Sequence, residues 1–345
     1  MRLLKNVIVF VLIISGVAGA LSAGQTQFSS TVWLRYFTTY WQSFDSEEGD
    51  FTTSNFYIGR GYLTLSHAFT DRFCGKFRVN VLTDEIYPST ARVELRLAMV
   101  SMNIADNLKI DAGVIPVEFS LGSMWVYRTI PNIMCGEQSF VAPADLGFDI
   151  VFKPFSNFYI TTQVLNGEGF DGYNENMNSY PSLSLDFRYN TGKLITGVSA
   201  LFEKNGGLSG LFEEEKNRFV ATPFFRMDMG KIDLYSEFVY GSYAKRWMAK
   251  SSLGFMVIGI MPLTPFFEPV ARFDYFDPNT DNKDDGETQI LGGVNLYLWR
   301  GDRTAFSPNI LLQPQWRMTN YQASGLKSKQ EILLQLQLNY DTQPF

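Results

Sequence analysis

Apolar and polar side chains alternate almost without interruption near the end of the chain, from Ile332 to Tyr340. The two alternating sets are Leu334, Leu336, Leu338 and Tyr340 on one side and Gln335, Gln337 and Asn339 on the other. Successive side chains of a β-strand point to opposite faces of a sheet, so this pattern predicts a strand with one apolar and one polar face.

The same two-residue period recurs along most of the chain and predicts sixteen strands. Gly, Asn, Asp and Pro residues lie at the breaks in the pattern, where turns need their backbone conformations. The predicted strands are 28–42, 55–69, 73–84, 92–104, 108–119, 145–155, 158–166, 180–190, 194–204, 217–229, 231–243, 249–261, 265–277, 287–299, 307–322 and 330–340.

The predicted connections between strands alternate in length. Short turns such as 70–72 and 105–107 alternate with longer polar loops such as 43–54 and 167–179. An even number of two-faced strands joined in this way is typical of an outer-membrane barrel. We therefore expect an all-β fold, a transmembrane antiparallel β-barrel of about sixteen strands in a bacterial outer membrane. The alternative, a secreted β-sandwich or β-solenoid, would expose many outward Leu, Phe and Tyr side chains to water.

The first twenty residues predict export. Arg2 and Lys5 form a positively charged start, VIVFVLII (7–14) is a short apolar run, and Ala18-Gly19-Ala20 fits an A-x-A cleavage site. The run is too short to span a bilayer, so we expect a cleaved signal peptide at 1–20, with cleavage as far along as residue 23 as the alternative. The rest of the chain, 24–345, is expected to form one barrel domain.

The composition agrees with this assignment. Aromatic residues make up 15% of the chain, as expected for rings at both membrane interfaces, and the mean hydropathy is only −0.06. No second apolar run is long enough for a membrane helix, which excludes a helical membrane protein. The net charge is −6 and becomes −8 once Arg2 and Lys5 leave with the signal peptide, which argues against a nucleic-acid partner.

Two cysteines, Cys74 and Cys135, remain in the mature chain. An oxidising periplasm permits a disulfide between them, but neither has a neighbouring His or a C-x-x-C spacing. The sequence therefore leaves their pairing open and gives no support to redox catalysis.

Charged side chains fall on the polar side of the predicted strands. A charge on the lipid face costs about 2–4 kcal/mol at the bilayer midplane, so these side chains should face the lumen. The candidate pore-lining residues on strands are Arg35, Arg60, Lys76, Arg78, Arg96, Asp186, Arg188, Arg226, Glu268, Arg272, Asp274 and Arg317. Two hypotheses stay open: the charges hydrate the pore and pair with each other, or arginines on adjacent strands form a track for anions.

The long third loop, predicted at 120–144, is unlike the others because it is apolar and aromatic. Its charged residues are Arg128 and Glu137. Long loops of this kind are usually functional, and we expect this one to fold into the lumen and narrow it, with Arg128 as the charge nearest the constriction. The alternative is an exposed loop that packs on neighbouring loops or on another subunit.

No motif points to an enzyme, a metal site or a cofactor. The acidic stretch 277–287 (DPNTDNKDDGE) fails the EF-hand spacing, because Lys283 stands where a ligand is needed, and is expected to be a solvated loop. A Ser-His pair would have to use the single histidine, His67, which lies beside a predicted turn.

A family resemblance comes from FEPVARFDYFDPNTD (267–281) followed by LGGVNLYL (291–298). These segments resemble a signature of the phosphate-selective porin family of types O and P, and 56–69, 108–119 and the terminal LQLQLNY resemble it more weakly. The resemblance implies a sixteen-stranded barrel, usually a homotrimer, with the third loop inside. Phosphate-specific members carry several arginines on that loop, whereas this chain has Arg128 alone and is acidic overall.

These observations predict a porin, a passive diffusion channel for small hydrophilic or anionic solutes, with phosphate as one candidate. The alternative is a non-conducting barrel that acts as a receptor, adhesin or structural anchor. Expected partners are outer-membrane lipid and the barrel-assembly machinery, whose signals end in an aromatic residue, as Phe345 does. Tyr340 is the aromatic in phase with the last strand, so the tail 341–345 is expected to lie in the periplasm.

Overall fold

A computed structural model describes residues 25–42, 50–83, 91–123, 128–167, 169, 180–207, 216–243, 251–300, 309–322 and 328–341. The predicted signal peptide and the terminal Phe345 lie outside these residues. The described chain forms sixteen antiparallel strands, each paired with its neighbours in sequence, and β1 pairs with β16 to close the barrel. The strands are β1 (Gln25–Gln42), β2 (Asp50–Thr70), β3 (Phe73–Thr83), β4 (Ala91–Ala105), β5 (Leu108–Pro116), β6 (Ala144–Phe155), β7 (Phe158–Leu165), β8 (Ser182–Asn190), β9 (Leu194–Gly207), β10 (Lys216–Asp228), β11 (Asp233–Ser242), β12 (Ser251–Ile260), β13 (Phe267–Asp277), β14 (Glu287–Trp299), β15 (Asn309–Tyr321) and β16 (Ser328–Asp341).

The predicted fold class and strand number are confirmed, and the differences lie at strand ends. The strand β2 already begins at Asp50, so part of the predicted loop 43–54 belongs to the sheet. The strand β5 ends at Pro116 instead of continuing to residue 119. Proline has no backbone N–H to donate to a neighbouring strand, and the chain leaves the sheet there.

The alternation that predicted β16 separates its two faces in the barrel. Gln335 and Gln337 are buried on the inner face, whereas Ile332 and Leu338 are 54% and 42% exposed on the outer face. The amides therefore point toward the lumen and the aliphatic side chains toward the surroundings, as the outer wall of a membrane barrel requires.

Two β-bulges shift this alternation on strands β1 to β4. Between β1 and β2 the register passes from Trp33↔Arg60 to Leu34↔Ile58, so Gly59 is an extra residue. Between β3 and β4, Arg96 is the extra residue. A bulge places two residues opposite one and re-aims the side chains beside it. Here the bulges keep both Arg60 and Arg96 on the inner side.

The inner face of β9 to β14 carries an apolar patch among its polar and charged residues, and the sequence did not predict this patch. The buried inward side chains there are Ile195, Leu201, Val220, Phe224, Val239, Met256, Ile258, Ile260, Val270 and Leu291. They form one hydrophobic cluster with apolar residues of the third loop, which occupies 117–143 in the structure. The barrel therefore has a hydrophobic core inside it, against one half of the wall.

The third loop carries the little helical structure found in the described residues. It contains a 3₁₀ turn at Ser120–Ser123 and a one-turn helix, α1 (Met134–Glu137). Among the parts of the chain that the structure describes, no helix is long and apolar enough to cross a membrane.

The two cysteines are not joined. Cys74 is exposed at the start of β3, and Cys135 is buried in α1. The Cys135 thiol lies 3.3 Å from the Thr222 hydroxyl oxygen, and burial raises the pKa of this thiol well above its ordinary value. Cys135 therefore packs as a small apolar side chain between the loop and the wall.

The close packing inside the barrel yields a test at Gly197 on β9. A Cβ at this position would overlap the Phe187 carbonyl oxygen and lie 2.7 Å from the Phe224 ring. Gly197→Ala should lower the free energy of unfolding by about 1–3 kcal/mol, because the wall must shift to make room. Gly259→Ala is the control, since a Cβ there would meet nothing within 4 Å. Urea titrations read by the gel mobility of unheated samples give both values, and equal midpoints would contradict this account.

Candidate functional site

The third loop is hydrogen-bonded to the inner faces of widely separated strands. The Ser120 backbone N–H donates to the Ser199 hydroxyl on β9 at 2.7 Å. The Ile130 N–H donates to the Gln315 side-chain oxygen on β15 at 2.9 Å. Both acceptors are buried on the inner wall, so the described part of the loop lies inside the barrel.

Arginines on the wall hold this loop through its carbonyls and its carboxylate. Arg317 lies between Glu331 on β16 and Glu137 on the loop, at 2.6 and 2.9 Å. Arg272 pairs with Asp274 at 2.8 Å and donates to the Pro131 carbonyl at 3.2 Å. Each of these guanidiniums has a carboxylate partner, which offsets its charge.

The charged groups near the turn-side end of the barrel are paired in the same way. Arg188 lies 3.3 Å from Asp186, with which it shares β8, and donates to the Ser120 carbonyl. Glu268 at the start of β13 accepts from the Tyr297 hydroxyl at 3.1 Å and pairs with Arg300 at 3.3 Å. Asp186, Arg188 and Glu268 were predicted to line the pore and do face inward. Each of them contacts a polar group of the wall or of the loop.

Arg128 of the third loop contacts a carboxylate of the wall. Its guanidinium forms an ion pair with Asp233 at 2.7 Å, and Asp233 also lies 3.6 Å from Arg226 on β10. Asp233 is the first residue of β11, directly after a turn. That Arg128 is the charge nearest the constriction stays a prediction.

A different set of arginines forms a stack with two aromatic rings across β1 to β3. The Arg35 and Arg60 guanidiniums lie 5.1 and 5.0 Å from the Trp33 ring centre. Arg60 and Arg78 lie 5.6 and 5.1 Å from the Tyr62 ring centre. We call Arg35, Arg60 and Arg78, with these two rings, the cationic ladder. Cations within about 6 Å of a ring face are attracted to it, so the rings hold the guanidiniums in place.

Two arginines of the ladder donate to neutral acceptors. Arg35 donates to the Gln335 side-chain oxygen at 2.6 Å and to the Ile130 carbonyl at 3.2 Å. Arg78 donates to the Thr64 hydroxyl at 2.8 Å. These acceptors orient the Arg35 and Arg78 guanidiniums without cancelling their charge. Arg60 donates to the Tyr62 hydroxyl, among other contacts.

Arg96 and Lys76 add positive charge beside the ladder. Arg96 is 7% exposed and, with Arg60 and Arg78, lies within electrostatic reach of Tyr62. The wall also carries Glu94, which is engaged by Arg92 at 2.6 Å and by the Asn80 amide at 3.2 Å. The inner wall of β1 to β4 is therefore more positive than the wall of β8 to β16.

A small cavity of about 100 Å³ lies between this wall and the third loop. It has Arg60 and Arg96 on one side and Val117, Phe119 and Ile133 of the loop on the other. A wider vestibule of about 690 Å³ follows on the side of the short turns. Its lining carries both signs of charge, with Lys76, Lys109, Lys153 and Arg188 beside Asp111, Glu118, Asp149 and Asp186. Pro116 borders both spaces, so they adjoin.

The sequence predicts the arginines of this site and an apolar third loop in the lumen, but the two rings were not among the predicted residues. Trp33 and Tyr62 occupy the same phase as Arg35 and Arg60, so the period-2 pattern contained the signal.

Solved structures with the same architecture are porins and outer-membrane channels. The anion-selective porin from Comamonas acidovorans matches with a TM-score of 0.60 and 10% identity, over 91% of this chain and 99% of that one. The outer membrane channel DcaP of Acinetobacter baumannii gives 0.61 and 13%, over 92% and 97%. OmpF of Salmonella typhi gives 0.58 and 10%, over 91% and 98%. No protein-family model and no curated protein sequence matches the chain. The chain thus has the porin fold.

The buried ion pair beside the loop can be tested at Arg272. Arg272→Gln would leave Asp274 buried without its counter-ion, and the free energy of unfolding should fall by about 3–5 kcal/mol. The control is Arg92→Gln, which breaks the pair with Glu94 at a side chain that is 65% exposed and should cost no more than about 1 kcal/mol. Urea titrations of both variants in lipid vesicles give the comparison. Similar losses in the two variants would show that the buried pair of Arg272 with Asp274 contributes no more than the exposed pair.

Proposed function

We propose that this chain is an outer-membrane porin that lets small hydrophilic solutes diffuse passively and prefers anions. The cationic ladder carries the proposal: Arg60 lines the small cavity, and Arg35 and Arg78, which stack on the same rings, donate their hydrogen bonds to neutral acceptors. The porin fold and the adjoining cavity and vestibule support a path through the barrel.

The positive charge of the ladder should affect a passing ion more than the net negative charge of the whole chain does. Field lines concentrate in a narrow aqueous passage with low-dielectric walls, so charges at the constriction dominate the energy of a passing ion. The net charge of −6 includes acidic residues on loops such as 277–287, which face bulk solvent. Screening acts over about 8–10 Å at physiological salt, so those loops contribute little.

The competing hypothesis is a barrel that does not conduct and serves as a receptor, adhesin or anchor. The third loop favours it to the extent that its apolar residues fill the lumen along β9 to β14. On the side of β2 to β8, however, the described residues enclose the cavity and the vestibule, which adjoin at Pro116. A plug without transport would need neither these spaces nor the positive wall beside them.

Phosphate preference, which the family resemblance implies, has weaker support. The one arginine of the third loop, Arg128, is engaged by Asp233. We therefore propose anion preference without assigning phosphate as the solute.

Anion preference can be measured by reversal potentials of single channels in a potassium chloride gradient across a planar bilayer. The wild type should favour chloride, and more strongly at low salt. Arg60→Gln with Arg78→Gln should reduce the chloride-to-potassium permeability ratio about fivefold or more, since a charge about 4 Å from an ion contributes about 1 kcal/mol even in water. Arg226→Gln is the control, because its carboxylate partner Asp233 keeps Arg128.

Two results would contradict the proposal. If a folded, heat-modifiable barrel gives no open-channel current, the non-conducting hypothesis is correct. If cation preference persists unchanged in the double variant, the ladder arginines are structural partners of the rings and do not select ions.

The resemblance also leads us to propose a homotrimer in the outer membrane, reached by way of the signal peptide and inserted by the barrel-assembly machinery. Light scattering in mild detergent with added lipid should give three times the mass of a 39.2 kDa precursor less its signal peptide. A single-chain mass with and without lipid would contradict the trimer and leave the channel proposal intact.

A further inference from the structure

The chemistry of the narrow cavity points to a more specific solute class than anions in general. We propose that it selects anions with an apolar body on one side, such as aromatic monocarboxylates, over small and strongly hydrated anions such as inorganic phosphate. This inference rests on the proposed porin function and concerns which anions pass most easily.

The cavity has two unlike sides. Arg60 and Arg96 supply the cationic side, backed by the rings of Trp33 and Tyr62. Val117, Phe119, Ile133, Val141 and the two prolines 116 and 143 supply most of the opposite side, where Asn132 is the polar side chain. The apolar side is firm, because Val117, Phe119, Ile133 and Val141 belong to the hydrophobic cluster inside the barrel.

The size of the cavity forces a solute to lose part of its water. The cavity measures about 100 Å³, against about 690 Å³ for the vestibule, so a solute that enters it exchanges more of its hydration shell for the wall. Polar atoms that leave water without a new partner are destabilised, and charged atoms are destabilised more. Phosphate has oxygens on all sides, so those that turn toward Val117 and Ile133 would lose hydration without gaining donors.

A carboxylate on an apolar body suits both sides at once. Its two oxygens lie at one end and fit the parallel N–H groups of a guanidinium. The aromatic or aliphatic body turns toward the loop, where its transfer out of water is favourable. The two sides together therefore favour this class over phosphate and also over neutral sugars, which carry hydroxyls all round.

The wider vestibule does not impose the same selection. Its lysines and carboxylates alternate around a space of about 690 Å³, which leaves room for a full hydration shell. Discrimination should therefore depend on residues of the narrow cavity and not on those of the vestibule.

The test compares permeabilities of chloride, benzoate and phosphate, as potassium salts at one potassium concentration, from reversal potentials of the full barrel in planar bilayers. Benzoate should be at least about fivefold more permeant than phosphate, in line with the cost of exposing polar groups to an apolar wall. Phosphate equal to or above benzoate, with anion preference over potassium intact, would overturn this inference and leave the porin proposal standing. Absence of any current would overturn both.

Valine-to-threonine variants, which hardly change the shape of the side chain, test whether the apolar side of the cavity causes the preference for benzoate over phosphate. Val117→Thr with Val141→Thr adds two hydroxyls to the cavity wall at almost constant volume and should bring the benzoate-to-phosphate ratio close to one. Val151→Thr makes the same change in the vestibule and should leave the ratio as in the wild type. If the double variant fails to fold, Ala142→Ser can replace it, because Ala142 is a half-buried residue of the same cavity. This variant should also lower the benzoate-to-phosphate permeability ratio. An unchanged ratio in the folded cavity variants would show that the loop does not select.

Discussion

The structure depends on the need to satisfy every backbone N–H and C=O group where no water is present. In hydrocarbon only a helix or a closed sheet meets that need, and this chain closes its sheet by pairing β1 with β16. Closure fixes the inner and outer face of every strand, so side chains with a period of two are divided between lipid and lumen. The placement of each inward arginine follows from this division.

A closed barrel of sixteen strands encloses more space than its own side chains fill, and in this chain apolar residues of the third loop pack against the inner face of β9 to β14. The inward aliphatic residues of β9 to β14 would be exposed to water in an empty barrel. Their burial against Val117, Phe119 and Ile133 is the driving force that holds the loop inside. Ion pairs such as Arg317 with Glu137 then fix its position. The cavity and the vestibule lie on the side of β2 to β8.

The strands and the side on which a charge lies could be predicted from sequence, because both follow from local alternation. The stacking of arginines on Trp33 and Tyr62 could not be predicted from sequence, and neither could the choice of which charged residues form ion pairs. Both depend on the register between strands. Arg317 lies opposite Glu331, whereas Arg35 lies opposite Gln335, and nothing near either arginine in sequence distinguishes the two cases. The apolar inner wall did leave a signal: β12 (SSLGFMVIGI) is apolar on both faces, as expected of a strand covered on both sides.

The comparison of those two arginines also explains why composition is a poor guide to selectivity in such a barrel. Both carry the same charge, face the same lumen and contact the third loop, Arg317 through Glu137 and Arg35 through the Ile130 carbonyl. The field of Arg317 is largely cancelled by carboxylates within 2.9 Å, while the amide at Arg35 orients the guanidinium and cancels little of its charge. A carboxylate on the neighbouring strand thus cancels a charge that a neutral amide in the same place would leave. The difference between Arg317 and Arg35 is a consequence of strand register.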